Sequence, residues 1–293
     1  ALGDAGVTAY AVDLLGCGWS SKPHPTSPEA LALSGERSPG READLAESDD
    51  FAGVELGTAA GGTRRVAFVR KPHPVAGSCY NFYTWAEQLA DFSEEVIEGR
   101  CALVANSIGT ISALQAAIDR PERFSGLLTV SPNFRELHSA EAPPIAMPAV
   151  RAVQRLLREK GQPLFDFLAN PKTVKEILAE PYAVTSAVTD ELVDVLLSPL
   201  LTEGAADVVF DTLSYSAGPL PEEQLQSPRL KEVPVWACYG DADPWTPPPR
   251  VEGLKRYAPV ERVESFAGVG HCPHDEAPEL VNPYILEFLE RVR

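Results

Sequence analysis

The chain has 293 residues, 44% of them hydrophobic, which is enough for one large domain with a full core and argues against global disorder. Its formal net charge of −17 argues against nucleic-acid binding and against docking on an anionic membrane through net charge alone. No stretch reaches the length of a membrane span, no basic, apolar signal segment opens the chain, and five scattered cysteines make no disulfide framework, which fits a reducing compartment.

Val7-Thr8-Ala9-Tyr10-Ala11-Val12 is predicted as a strand running into Asp13–Ser20, where Gly16 and Gly18 let the chain turn sharply out of a sheet. From Thr26 to Pro74 the composition changes to Ala, Gly, Ser, Glu and Asp with little periodicity, and only Val66-Ala67-Phe68-Val69 reads as a short strand. Lys22-Pro23-His24-Pro25 recurs at the far end as Lys71-Pro72-His73-Pro74. Residues 26–74 therefore read as a low-complexity insertion that makes few contacts with the sheet. Trp85, Leu89, Phe92 and Val96 recur at helical spacing and predict a helix over Trp85–Glu98, ended by Gly99. Cys101-Ala102-Leu103-Val104-Ala105 reads as a buried strand that stops at Asn106-Ser107-Ile108-Gly109, and Ile108–Asp119 reads as the helix after it. Leu127–Val130 is the next strand. No strand signal follows from Pro132 to Pro228, where helices are predicted over Ala149–Lys160, Thr173–Leu178, Thr189–Leu197 and Gly204–Tyr215. Val235–Gly240 and Arg262–Phe266 restart the strands, with Cys101 and Cys238 as core thiols, and Pro278–Arg291 closes the chain as a helix. This alternation predicts an α/β fold with a doubly wound, mainly parallel sheet. Residues 1–25 and 75–131 supply its first part, 132–228 a helical cap, and 229–293 its second part.

Three polar residues each follow a predicted strand. Ser107 stands at a strand-to-helix corner between Ala105 and Gly109, small neighbours that a strained nucleophile turn requires. The same corner aims the backbone N–H of Ile108 at a developing oxyanion. Asp243 follows Val235–Gly240, and His271 follows the last strand in Gly268-Val269-Gly270-His271. A serine needs a base to take its proton, and the base needs a carboxylate to fix its tautomer. The order Ser, acid, His gathers all three at one sheet edge in the manner of an α/β-hydrolase, here with Ala105 in place of the first glycine of G-x-S-x-G. Asp241 is the rival acid, and the backbone N–H groups of its turn are its expected partners. The run His271-Cys272-Pro273-His274-Asp275-Glu276 does not read as a metal site, because a proline stiffens its middle and no second Cys/His pair stands elsewhere. His24, His73 and His138 are expected to face solvent. Dehalogenase or epoxide-hydrolase chemistry would put a carboxylate at position 107.

Six motifs carry a family resemblance: Asp13–Gly18, Tyr83–Leu89, Asn106-Ser107-Ile108-Gly109, Ser214–Pro221, Gly240-Asp241-Ala242-Asp243-Pro244-Trp245 and Gly270–Pro278. Together they resemble the plastid pheophytinase and chlorophyll dephytylase group over nearly all of the chain outside Thr26–Pro74, and the last two discriminate best. The resemblance implies that Ser107, Asp243 and His271 hydrolyse the phytyl ester of a chlorophyll derivative such as pheophytin, in a chloroplast. It implies that the cap holds the long apolar alcohol in an elongated apolar cavity, and that no metal or organic cofactor takes part. Such enzymes carry a His-Gly loop, after an early strand, whose N–H completes the oxyanion hole. Only six residues precede Val7, so an N-terminally truncated core is expected, with an unpaired sheet edge beside Val7–Val12. With Ile108 as the remaining donor, turnover is expected to fall by about 10²–10³. The alternatives are a general lipid or small-ester hydrolase on the same triad, and a catalytically impaired fragment that only binds an apolar ligand.

Overall fold

The computed structural model describes residues 2–34, 54–57, 63–66, 75, 77–134, 145–215 and 218–293. Helix α1 (Pro28–Ser34) precedes an antiparallel hairpin of β1 (Val54–Gly57) and β2 (Thr63–Val66). Next come α2 (Phe82–Glu95), β3 (Cys101–Asn106), α3 (Gly109–Asp119) and β4 (Phe124–Val130). The segment after β4, the predicted cap and so named below, contributes α4 (Met147–Lys160), α5 (Gln162–Leu168), α6 (Pro171–Leu178), α7 (Asp190–Leu200) and α8 (Ala205–Ser214). The chain returns through α9 (Pro221–Gln224), β5 (Val235–Gly240), α10 (Pro248–Gly253), β6 (Val260–Phe266), α11 (Pro273–Glu276) and α12 (Pro278–Arg291).

Strands β3, β4, β5 and β6 lie side by side in that order and all run parallel. Alternate side chains along a strand point to opposite faces, and each face is apolar here because each is covered. Leu127, Val235, Ala237 and Tyr239 face a core with Ala86 of α2, Ala113 and Leu114 of α3, and Val251 of α10. Leu128, Val130, Trp236 and Cys238 face the opposite core, filled by Val281, Tyr284, Ile285 and Phe288 of α12. Gly126 permits this second contact: a Cβ there would stand 2.6 Å from Val292 Cγ1 and 3.0 Å from Phe288 Cζ. The doubly wound parallel sheet expected from the sequence is the observed fold.

Several boundaries and two elements differ from the expectation. Val7–Val12 runs without regular structure and pairs with no strand among the described residues. Its Tyr10 packs edge-on against Phe92 of α2, so the segment lies along a helix rather than beside β3. Among the described residues β3 is an edge strand of the sheet, and its Val104 is 46% exposed. The segment 26–74 is not bare of structure: it holds α1 and the β1–β2 hairpin. Ala30 of α1 is fully buried in a core cluster with Leu15, Tyr80, Trp85 and Val208, a contact that its small side chain makes possible. β2 ends at Val66, where the expected strand began, while residues 67–69, the second Lys-Pro-His-Pro copy with His73, and His138 lie outside the described residues. Helix α2 begins at Phe82 rather than Trp85, because Asn81 caps it by accepting from the backbone N–H groups of Tyr83 and Thr84 at 3.0 Å. It ends at Glu95, before Gly99.

Between β4 and β5 the described residues form helices and no strand. A cavity of about 370 Å³ lies inside this region, walled by Phe165, Ala169, Leu200, Leu201 and Ala206, with Asp166 and Glu203 at its rim. Ser107 does not line it, so it is not the elongated apolar cavity over the serine that the resemblance implied. No helix among the described residues is long and apolar enough to cross a membrane.

Candidate active site

Because the four strands are parallel, the loops after β3, β5 and β6 open on one edge of the sheet. Ser107 follows β3 with a φ of 50°, a left-handed conformation that is strained for a serine. Its backbone N–H donates to Val130 O at 3.0 Å, and its carbonyl accepts from Thr110 N at the start of α3, so strand and helix hold the turn from both sides. The neighbouring strand repeats the device: Ser131, directly after β4, has a φ of 44° and donates its N–H to Cys238 O at 2.8 Å.

Ser107 Oγ lies 2.9 Å from His271 Nε2, and His271 Nδ1 lies 2.7 Å from Asp243 Oδ2. With Nδ1–H donating to the carboxylate, Nε2 is left free to accept from the serine hydroxyl. His271 and Asp243 are buried, which shields their mutual bond from water, while Ser107 is half-exposed. Burial alone would raise the Asp243 carboxyl. The hydrogen bond and charge of His271, with backbone donation from Trp245 and Thr246 at 2.8 and 3.0 Å, outweigh it and hold the carboxyl below the usual aspartate range. Asp241 turns elsewhere, accepting from Gly268 N at 2.6 Å in the turn. The backbone N–H of Ile108, the residue after the serine, has no partner among the described residues and stands at the first turn of α3, where a developing negative charge is favoured. Cys272 is no rival nucleophile, because burial pushes its thiol up to about 11.

Other residues complete the arrangement without having been singled out by the sequence. Asn106 Nδ2 donates to Val130 O at 3.1 Å and to His271 O at 3.2 Å, tying the serine strand to the histidine loop. The Trp245 ring leans on the His271 ring at 5.1 Å. Glu276 is buried and accepts three backbone N–H groups: Val184 at 2.9 Å, Gly270 at 3.0 Å and Cys272 at 3.1 Å. Two of these flank His271, and the third belongs to the cap. Three further bonds close the same seam. His271 N donates to Pro181 O at 2.8 Å, Tyr182 Oη to Asp275 Oδ2 at 2.8 Å, and Trp245 Nε1 to Glu180 Oε1 at 3.1 Å. Gly270 is required at this seam, since a side chain there would run into Pro181 O and Ala183 N. The side chains of the run 271–276 are thus committed to different partners. The motif Asp-Glu-Ala-Pro was the available signal for Glu276, but its partners are distant in sequence or are backbone atoms.

The fold and this edge of the sheet define a class. The sequence model of the alpha/beta hydrolase family matches residues 1–283, and the chain belongs to that family. Its fold is that of an α/β-hydrolase. It is 28% identical over 207 residues to "Pheophytinase, chloroplastic" of Arabidopsis thaliana, a match that takes in 68% of this chain and 43% of the relative, so the chain spans less than half of that protein's length. It is 23% identical over 214 residues to "Uncharacterized hydrolase YugF" of Bacillus subtilis (strain 168), covering 72% of this chain and 73% of that protein. Among solved structures, Cfl2 from Burkholderia cenocepacia shares the fold with a TM-score of 0.55 and 21% identity, over 73% of this chain and 72% of that chain.

Two outcomes follow from this geometry. Replacing Glu276 by Gln sets an NH₂ group against at least one backbone N–H and moves the His271 loop. Ester turnover is expected to fall by about 10²-fold, as for a small displacement of a catalytic group, with Glu276→Asp recovering part of it. Rates measured on protein whose fold is checked by circular dichroism test this, and unchanged turnover with only a lowered melting temperature would make the carboxylate purely structural. The second outcome concerns acid. A carboxyl whose folded pKa is depressed contributes stability above its unfolded pKa, near 3.8, and loses it as pH falls through the folded value. Denaturant titrations are expected to show wild type losing more stability below about pH 4 than Asp243→Asn does.

Proposed function

We propose that the chain is a carboxylic ester hydrolase in which Ser107 is the nucleophile, His271 the general base and acid, and Asp243 the group that fixes the histidine. The observation that carries this reading is the relay of 2.9 and 2.7 Å from Ser107 Oγ through His271 to Asp243, beside the open N–H of Ile108. Ser107 Oγ attacks the ester carbonyl as its proton passes to His271 Nε2, and the oxyanion that forms is held by the Ile108 N–H. Collapse breaks the ester C–O bond, and the alcohol leaves with the proton from His271. Water then attacks the acyl-serine, gives its proton to His271, and releases the acid as Ser107 recovers its hydrogen.

The substrate we propose is an ester of a long apolar alcohol, with the phytyl ester of a chlorophyll derivative such as pheophytin as the specific member. Its support is the likeness to pheophytinase together with the motif-level resemblance. The rim of the site is also apolar, with Ile108 44% and Trp245 43% exposed on either side of the serine–histidine pair. The relative is chloroplastic by name, and the same compartment is part of the proposal.

An ester panel tests both levels. The chain should hydrolyse long-chain esters and pheophytin in preference to acetate esters, and Ser107→Ala should lower every rate by about 10³-fold or more. Equal or better turnover of acetate esters, with none of pheophytin, would leave a general esterase. Full activity in Ser107→Ala would remove the triad from the reaction.

A further inference from the structure

The outer face of the cap carries a surface that ester chemistry does not use. Helices α4 and α5, joined at Gly161, lie on α8: Gln154 Nε2 donates to Leu213 O at 3.1 Å, and Phe165 packs edge-on against Phe210. Met147 and Gln154 are the buried residues of α4, and no residue of α5 is buried. Along the remaining face of α4 two stripes run at helical spacing. Arg151 and Arg155, both exposed, form one together with the half-buried Arg158, whose Nη1 is enclosed, and Ala149, Val153 and Leu156 form the other. Leu156 is 59% exposed, and α5 adds exposed Leu164, Leu168 and Phe167, the last 75% exposed, around one exposed acid, Asp166. Isolated exposed apolar residues are ordinary, but a run of them along two consecutive helices is not.

The charge of this face opposes that of the chain. α4 carries Arg151, Arg155, Arg158 and Lys160 against the single acid Glu159, within a protein of net charge −17. None of the four cations pairs with a carboxylate among the described residues, whereas Arg120, Lys175, Arg250, Arg262 and Arg291 all do. A basic stripe alone would suit any polyanion. A basic stripe flanked by exposed Val, Leu and Phe suits the boundary between anionic headgroups and acyl chains, where the helix lies in the plane of the interface. Salt screens charges beyond about 8–10 Å, so the acidic bulk of the chain does not cancel the attraction felt by a helix at the surface.

We propose that the α4–α5 face docks on an anionic lipid bilayer, with the exposed Arg151, Arg155 and Lys160 on the headgroups and Val153, Leu156, Leu164 and Phe167 entering the acyl boundary. This needs neither the triad nor an ester substrate, so it stands or falls apart from the proposed reaction.

Co-sedimentation of the whole chain with vesicles tests it. Vesicles of equal parts phosphatidylglycerol and phosphatidylcholine are compared with phosphatidylcholine alone, for wild type, Ser107→Ala, the pair Arg151→Glu and Arg155→Glu, and the pair Leu156→Ser and Phe167→Ser. Wild type and Ser107→Ala should bind the phosphatidylglycerol vesicles alike, bind the neutral ones far less, and weaken as salt is raised. Each cation lost at an anionic surface weakens partitioning about fivefold, so the double arginine variant should bind at least about 25-fold less. The double serine variant should fall comparably. Both pairs should hydrolyse a soluble short ester at the wild-type rate. Failure of wild type to bind phosphatidylglycerol vesicles, or equal binding by either double variant, would overturn the proposal. So would a dimer in light scattering that the serine pair disperses in the absence of vesicle binding, since the face would then meet a second copy.

Discussion

The Glu276 carboxylate accepts backbone N–H groups from Gly270 and Cys272, on either side of His271, and from Val184 in the cap. Three donors around one buried acceptor form an arrangement that an uncharged side chain cannot match, since any N–H it offered would face another donor. The histidine is therefore placed by its backbone before its ring makes any contact. Pro181 O takes the His271 N–H from the cap side and Asn106 reaches the His271 carbonyl from the serine strand. Cap and core thus meet at the one residue whose position sets the distance to Ser107. The buried ion pair of Arg250 with Glu222, its guanidinium 4.4 Å above the Phe134 ring, makes a second such join between α9, α10 and the loop after β4.

The strain at Ser107 is carried by the same sheet. A left-handed serine costs on the order of 1–3 kcal/mol and persists because its neighbours over-determine it. Ser107 N is bonded across to β4, and Ser131 N is bonded across to β5. Each strained corner is therefore anchored to the next parallel strand, so the corners after β3 and β4 share one register. The turn brings the hydroxyl to His271 and leaves the next N–H, that of Ile108, without a partner among the described residues. Electrostatic stabilisation of this kind works because the donor is set before charge develops, not recruited afterwards.

Much of this was legible in the chain. Val235–Gly240 and Pro278–Arg291 match their predicted bounds, because a continuous apolar run and an amphipathic period leave little freedom when Pro and Gly flank them. That Ser107, Asp243 and His271 meet was readable because each follows a strand, and parallel strands send those loops to one edge. What was not legible depends on partners distant in sequence. Val7–Val12 has a strand's composition, yet a strand exists only as part of a ladder, and Tyr10 lies against α2 instead. Helix α5 is not among the predicted helices, and its Pro163 stands in the first turn, where proline is well tolerated because its missing N–H costs nothing. Glu276 looked like one member of a charged run, and only the folded seam shows that its acceptors are filled by backbone. The basic face of α4 was hidden inside a chain-wide charge that points the other way.

The central claim is that the strained turn and the buried histidine make Ser107, alone among the chain's serines, a nucleophile. A fluorophosphonate reports this directly, because it forms a stable bond only with an activated hydroxyl. Mass spectrometry of the labelled and digested protein should find a single adduct on Ser107, formed rapidly in wild type and abolished in His271→Ala. An adduct on another residue, or undiminished labelling of Ser107 without His271, would contradict the account.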